Sequence, residues 1–219
     1  MISKILITIS AIFVLAGLFG IRSKTLGGKM FFLCISSIGM TVLSFVELNA
    51  YGLIGGIFQM LFRLISLLFL VLLFRNVCKK NGIIYTEDIS GIGRKMPYMF
   101  LMAAVYSMIV IGMPATGTFT GILYSEIGLL AGGFGAVTYV GMIGNIAGIA
   151  VPAVLLFPVL KKAYFPEEER ERRESVIMPG KGMMIIHFLM AFLLVLLSIY
   201  QKPVMTAAGI LMEKILVRR

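Results

Sequence analysis

Seven apolar runs, each close to the length of a membrane crossing, dominate this sequence of 219 residues. A helix needs about 20 mainly apolar residues to cross the hydrocarbon core of a bilayer. Hydrophobic residues make up 59% of the chain and charged residues 14%, which excludes an ordinary soluble domain. Because lipid supplies no hydrogen-bond partners for the backbone, runs of this length predict helices. The runs are Ile2 to Ile21, Met30 to Val46, Leu53 to Phe74, Pro97 to Met113, Phe119 to Phe134, Val137 to Leu160 and Met183 to Tyr200.

We therefore predict an all-α, polytopic membrane bundle of about seven transmembrane helices, one of them broken, over residues 1–203. Residues 204–219 predict an amphipathic helix that lies along the membrane surface. The pair Asn81-Gly82, followed by IIYTEDI, predicts a small hairpin after the third run. With seven crossings, this hairpin and the tail would lie on the same face of the membrane. The apolar stripe of the tail consists of Met205, Ala208, Leu211, Met212 and Ile215.

The predicted break lies near the start of the stretch from Ile111 to Phe134, where Pro114, Thr116, Gly117 and Thr118 interrupt the apolar sequence. An interrupted backbone at membrane depth persists only where protein or a water-filled cavity surrounds it. This favours a broken helix buried in the bundle. The alternative is a tight turn near one membrane face.

Two charged residues lie inside the apolar runs and are the main candidates for a functional site. Arg63 is about ten residues into its run, hence near the bilayer midplane, and Gln59 lies one turn before it. Glu126 follows the break, whereas Glu47 ends the second run and is expected at the headgroups. Ionisable groups within spans are costly and mark functional sites by default. Both an ion path and a static pairing of charges stay open, since a guanidinium keeps its proton at any working pH.

Secondary candidates are Asn145, in the middle of the sixth run, and the single His187, which is expected near the headgroups. The glycines Gly141, Gly144 and Gly148 predict that this sixth run packs closely against other helices. The sequence contains no metal-ligand spacing, nucleophilic triad or phosphate loop, so we expect no catalytic residues, metal or bound cofactor. The net charge of +10 lies mainly beside the ends of the runs. Its expected partners are lipid phosphates and acidic neighbours, not nucleic acid.

Several motifs, in order, resemble the antiporter-like membrane subunits shared by respiratory complex I, Mrp-type multisubunit cation/proton antiporters and energy-converting membrane-bound hydrogenases. MPATGTFTG resembles the family's proline-containing break, which precedes a twelfth helix with a buried Lys or Glu. GIFQMLFRLISLLFL resembles its tenth-helix pattern, and KMFFLCISSIG its ninth-helix pattern, which adds Lys29 as a secondary candidate. RKMP before a run and KKAYF after the prolines also fit. The resemblance implies the family's C-terminal half, helices eight to fourteen.

The sequence departs from the family pattern at the charged positions. The family's tenth-helix Lys is Arg63, and its two preceding His are Gln59 and Gly55. The twelfth-helix charge falls on Ile122, with Glu126 one turn later on the same face. The family's first half, with its Glu and Lys pair, has no counterpart, so we expect that the chain does not pump ions alone.

The resemblance implies a truncated subunit of a multisubunit ion-translocating complex, with a redox-driven host such as a hydrogenase or complex I relative preferred. The chain would be a non-catalytic, multi-pass subunit of the cytoplasmic (inner) membrane that bridges neighbours or contributes part of a proton or sodium path. Its partners would be other membrane subunits and, indirectly, iron–sulfur redox subunits. The alternative is a stand-alone, homo-oligomeric small transporter or channel. Orientation stays open: basic residues predict a cytoplasmic hairpin and tail, and the resemblance implies the reverse.

Overall fold

The computed structural model describes residues 2–47, 49–133, 135–165 and 176–216, with side chains between residues 4 and 210 of these ranges. Within them the chain is helical and contains no β-strand, only an isolated antiparallel bridge between Thr25 and Tyr85. This confirms the all-α prediction. The helices are α1 (Ile2–Ala16), α2 (Phe19–Arg22), α3 (Leu26–Val46), α4 (Ala50–Phe58), α5 (Ile65–Asn81), α6 (Ile92–Lys95), α7 (Pro97–Ile111), α8 (Gly117–Ala131), α9 (Ala136–Tyr164), α10 (Lys181–Ile199) and α11 (Lys202–Leu216).

Five stretches of the described chain are long and apolar enough to cross a membrane by themselves. The longest, Ala50–Asn81, contains α4, a π-helical segment (Gln59–Leu64) and α5 in 32 continuous residues. In contrast, α7 and α8 have only 15 residues each, fewer than the about 20 that a crossing needs. The other four stretches are Lys4–Arg22, Leu26–Val46, Ala136–Tyr164 and Lys181–Ile199.

The short helices α7 and α8 follow one another along the long Ala50–Asn81 helix, in the opposite direction. As the chain advances through α7 and α8, its partners on the long helix step backwards. The pairs are Phe100 with Phe74, Tyr106 with Phe69, Gly121 with Phe58 and Gly128 with Gly52. Helices α7 and α8 are therefore two halves of one crossing, interrupted halfway. The described residues thus form six crossings, one fewer than predicted, because windows of hydropathy treat the two halves as separate spans.

The six crossings define two membrane faces. The Glu47 face carries the α3–α4 and α8–α9 connections, and the Arg75 face carries the α2–α3, α5–α7 and α9–α10 connections. Helix α10 starts on the Arg75 face, where the Ile177 N–H donates to Asn81 Oδ1 at 2.8 Å. After α10, Thr120 Oγ1 donates to Gln201 Oε1 at 2.9 Å, and α11 contacts α4. The tail therefore leaves on the side opposite Asn81, and the prediction of a shared face is wrong.

The predicted hairpin at Asn81-Gly82 is also absent. Asn81 ends α5, and Gly82 caps the helix in the left-handed conformation with φ 61°. A helix C-cap and a tight hairpin both favour Asn-Gly, so the pair does not distinguish them. The following segment instead joins the start of α3, where the Thr86 N–H donates to the Lys24 carbonyl at 2.9 Å, and then forms a 3₁₀ turn (Thr86–Ile89).

Glycines set the close approach of the central helices. A Cβ on Gly55 of α4 would lie 2.8 Å from the Gly121 carbonyl oxygen of α8. On α9, Gly144 faces Ala11 and Gly148 faces Met40, which confirms the predicted close packing of this helix. Of the predicted tail stripe, Ala208 is buried. Leu211, Met212 and Ile215 lie outside the residues whose side chains are described.

Candidate functional site: a polar core at the broken crossing

Arg63 lies fully buried in the middle of the bundle, in the π-helical segment. Single π turns within α-helices occur often at functional sites. Arg63 Nη1 donates to the Gly148 carbonyl oxygen of α9 at 2.9 Å. Among the described residues its Nε and Nη2 have no partner, and neither do the two amide atoms of the buried Gln59. Arg63 is thus not paired with any described carboxylate.

Pro152 explains why this carbonyl is available to Arg63. In an α-helix the carbonyl of residue i accepts from the N–H of residue i+4, which for Gly148 is residue 152. Proline has no N–H, so the Gly148 oxygen loses its donor within the helix. Arg63 supplies the missing hydrogen bond from a neighbouring crossing. The two residues form one structural unit, although they are far apart in the sequence.

The break between α7 and α8 lies beside Arg63. Helix α7 ends at Gly112, which has φ 82°, and a Cβ on this glycine would lie 3.7 Å from Arg63 Nη2. Thr116 caps α8, since its Oγ1 accepts from the Phe119 N–H at 3.3 Å. The Gly117 N–H donates to Ser198 Oγ of α10 at 3.0 Å, and Thr118 is fully buried. Pro114 lies in the connection. The interruption therefore lies inside the protein at mid-membrane depth, as the broken-helix interpretation requires.

Glu126 belongs to a second polar group, nearer the Glu47 face. Its side chain lies close to that of Asn145, which is fully buried on α9. Asn145 Nδ2 donates to Ser125 Oγ at 3.2 Å. Ser125 Oγ in turn donates to Glu47 Oε1 at 2.7 Å. We call these four residues, which come from α8, α9 and the end of α3, the carboxylate cluster.

The contacts of Glu47 with α4 and α8 were not predicted from the sequence. Glu47 ends α3 at one membrane face, and its Oε2 is buried there without a partner among the described residues. The carboxylate lies between Gly52 and Gly128, and a Cβ on either glycine would collide with it. The two glycines are the only sequence signal for this placement. This signal can be recognised only once α4 and α8 are known to pack against each other.

The carboxylate cluster is about one helical turn from Arg63 along α9 and about two turns from it along α8 and the long helix. On α9, Asn145 and Gly148 are separated by three residues, or about 4.5 Å of helix. On α8, Gly121 lies against the Gln59 N–H and Ser125 follows one turn later. The structure thus brings Arg63, Gln59, Glu126 and the break into one polar core, together with Asn145.

The other two secondary candidates lie outside this polar core. Lys29 Nζ donates to the Gly20 carbonyl at 3.4 Å near the Arg75 face. His187 is buried between the rings of Phe69, at 5.5 Å, and Tyr106, at 5.9 Å, and not at the headgroups. Across the described residues, no group of three or more His, Cys, Asp or Glu could hold a metal ion.

Solved membrane complexes contain chains with the same architecture. This protein superposes on a chain of the membrane-bound sulfane sulfur reductase, an archaeal respiratory membrane complex. The TM-score is 0.79, the sequence identity is 21%, and 95% of this chain is covered. For a chain of the Mrp complex from Dietzia sp., the TM-score is 0.79, the identity 15% and the covered share of this chain 96%. For a chain of respiratory complex I from Thermus thermophilus, the TM-score is 0.78, the identity 16% and the covered share 97%. This chain has the fold of the antiporter-like membrane subunits.

The curated proteins that are similar in sequence to this chain include subunits of quinone oxidoreductases. The chain is 25% identical over 176 residues to NADH-quinone oxidoreductase subunit M of Escherichia coli, which is 78% of this chain and 33% of that protein. It is 22% identical over 161 residues to NAD(P)H-quinone oxidoreductase chain 4 of Trichormus variabilis. No protein-family model matches the chain. It spans about a third of these relatives and 42–47% of the matched chains in the three solved complexes.

Proposed function

We propose that this chain is an integral membrane subunit of a multisubunit ion-translocating complex, and that its polar core contributes part of a proton or sodium path. The antiporter-like fold supports the first part of this proposal. The carboxylate cluster carries the second, because two acidic side chains flank Ser125 between the break and the Glu47 face. Glu47 and Glu126 are close enough to repel one another electrostatically. Glu47 Oε2 and Glu126 Oε2 are each buried without a partner among the described residues, and a proton or a bound cation would stabilise either carboxylate there.

Polar side chains of the described core reach the Glu47 face, whereas towards the Arg75 face Ser66 and His187 are followed by an apolar layer. From Arg63 the polar side chains continue through Gln59 and the carboxylate cluster to Asn49, near the Glu47 face. In the other direction the long helix buries Leu70, Leu73 and Phe74, which pack with Phe100 of α7. Unpartnered buried polar atoms are normally satisfied by ordered water, which also conducts protons along hydrogen bonds. We therefore infer a half-path that opens to the Glu47 face.

In this half-path, Arg63 is a fixed positive charge and Glu126 a group that exchanges its proton. A guanidinium keeps its proton, so Arg63 cannot relay one, whereas a carboxylate can. The subunit alone would then lack a route to the Arg75 face. It would act as a bridge between subunits, or as one half of a path that an adjacent chain completes.

We place the subunit in a redox-driven complex of the cytoplasmic membrane, with iron–sulfur subunits as indirect partners. The names of the relatives, which are quinone oxidoreductase chains, support this choice. Affinity purification of the chain from native membranes in mild detergent tests it. Co-elution of iron–sulfur proteins is expected. Purification as a homo-oligomer without them would favour the small stand-alone transporter.

Flux measurements in liposomes that contain only this chain test the half-path. We expect no proton or sodium flux above that of empty liposomes. Flux that disappears in Glu126→Gln but persists in Glu87→Gln would refute the bridging role, because Glu87 is an acid in the 3₁₀ turn on the other face.

A further inference from the structure

An apolar groove opens between α3 and α5 near the Arg75 face. Its volume is about 570 Å³, within the range of about 300–1,000 Å³ that is usual for small-molecule sites. Met30, Phe31 and Cys34 of α3 form one wall, and Val71 and Phe74 of α5 form the other. Arg75 of α5 also lines the groove, one turn before Cys78 on the side nearer the membrane face. The groove is far from the carboxylate cluster and has no part in the ion path.

The groove exists because α3 and the long helix diverge. Near the Glu47 face they pack tightly, since a Cβ on Gly56 would collide with the Phe45 ring. Towards the Arg75 face no glycine brings them together. There the segment after α5 closes the top of the groove, where the Leu26 N–H donates to the Ile84 carbonyl at 3.1 Å. The groove is therefore closed towards the Arg75 face and open at the side of the bundle.

The side opening faces the hydrocarbon region of the bilayer. Phe31 on the rim is 62% exposed, which is unfavourable in water and favourable against acyl chains. The lining side chains offer almost no hydrogen-bond partners, so water gains nothing by entering. An acyl chain has the right chemistry for this groove and is present at high concentration in the membrane.

The basic residues at the end of the groove select the headgroup. Arg75 is exposed and has no described carboxylate partner, and Lys79 follows it one turn later on α5. Asp88, the nearby acid, already accepts from the backbone N–H groups of Ile84 and Tyr85 at 3.2 and 2.9 Å. Basic pockets between transmembrane helices are typical sites for anionic phospholipid headgroups. We propose that this groove binds one anionic phospholipid, with an acyl chain between α3 and α5 and the phosphate at Arg75.

Native mass spectrometry of the full chain, released from nanodiscs of phosphatidylglycerol and phosphatidylcholine in equal amounts, tests this proposal. The wild-type chain should retain phosphatidylglycerol in preference to phosphatidylcholine. Arg75→Gln should reduce that preference about fivefold, the effect of one cation near an anionic headgroup. Lys161→Gln removes a positive charge from the same face, at the end of α9, and should leave the preference unchanged. Cys34→Phe fills the groove and should abolish the retained lipid of either kind.

Equal preference in Arg75→Gln and Lys161→Gln would overturn the headgroup assignment, and lipid retained by Cys34→Phe would overturn the groove as its site. A maleimide that partitions into the membrane provides a measurement that does not depend on detergent. Cys34 should become less reactive as the phosphatidylglycerol content of the nanodiscs rises. If Cys34 is instead protected only in the assembled complex, whatever the lipid, then a helix of a neighbouring subunit occupies the groove and the proposal is wrong.

Discussion

At the level of single residues, the carboxylate of Glu47 gives the sharpest test of the polar core. If the carboxylate cluster holds the transferred ion, Glu47→Gln should impair ion coupling of the assembled complex as strongly as Glu126→Gln. A loss of about 10²-fold is expected, the lower end of what a positioned proton-transfer group contributes. The measurement is substrate-driven proton uptake by membrane vesicles. The control is Glu87→Gln on the opposite face.

Ser125→Ala separates the two possible roles of Glu47. This change removes the hydrogen bond to Glu47 Oε1 but leaves both carboxylates in place. A partial loss of coupling is expected. Full activity in both Glu47→Gln and Ser125→Ala would mean that Glu47 only helps to close α3 against α8.

Arg63 and Pro152 should behave as a coupled pair. Arg63→Met removes the donor to the Gly148 carbonyl and leaves it unsatisfied in the protein interior, which destabilises by about 1–3 kcal/mol. In a Pro152→Ala background the helix N–H returns, so the same change should cost less. Thermal unfolding of the four variants in detergent gives the coupling energy, expected at about 1–2 kcal/mol. Strictly additive effects would show that the two residues do not share this carbonyl.

At the level of helices, the α4–α8 contact depends on the absence of side chains. Gly55→Ala places a Cβ 2.8 Å from the Gly121 oxygen and 2.9 Å from the Ser125 nitrogen, both backbone atoms that cannot move independently. We expect a loss of about 1–3 kcal/mol of stability, measured by thermal unfolding. Gly182→Ala on α10, where a Cβ meets nothing within 4 Å, is the matched control. A Gly55→Ala protein as stable as this control would contradict the tight packing.

The sequence was sufficient for local features of these helices but not for their depth in the membrane. Pro114, Thr116, Gly117 and Thr118 mark the break correctly because proline and glycine interrupt a helix wherever it lies. They do not reveal whether the flanking helices cross the membrane once or twice. That depends on contacts such as Tyr106 with Phe69, which are distant in sequence. The contact between Glu47 and Ser125 could not be predicted for the same reason.

At the level of the whole molecule, six crossings change the distribution of charge between the two faces. Among the described side chains, the Glu47 face carries only Lys4 and Lys202. The positive-inside rule therefore predicts that the Arg75 face is cytoplasmic and that the tail begins on the outer side. The basic residues at or next to the Arg75 face are Arg22, Lys24, Lys29, Arg75, Lys79, Lys80, Arg94, Lys95, Lys161, Lys162 and Lys181.

Cysteine labelling in intact cells tests this orientation. In a background where Cys34 and Cys78 are serine, Lys79→Cys should resist a membrane-impermeant maleimide and Ala207→Cys should react with it. Both positions are exposed in the structure, so a difference reports the side of the membrane. Equal labelling of the two cysteines would contradict six crossings. Labelling of Lys79→Cys alone would keep the six crossings and show that the Arg75 face is on the outer side.

The interruption of the crossing at Gly112 also creates a helix end in the interior of the membrane. The last carbonyl groups of a helix together carry about half a negative elementary charge, which normally faces water. Here the end of α7 lies beside Arg63 Nη2, in a medium that screens weakly. The dipole of α7 therefore acts as the counterion of a cation that has no acid beside it. Any movement that draws the end of α7 away from Arg63 raises the electrostatic energy of the site, so the position of α7 and the charge of Arg63 are linked.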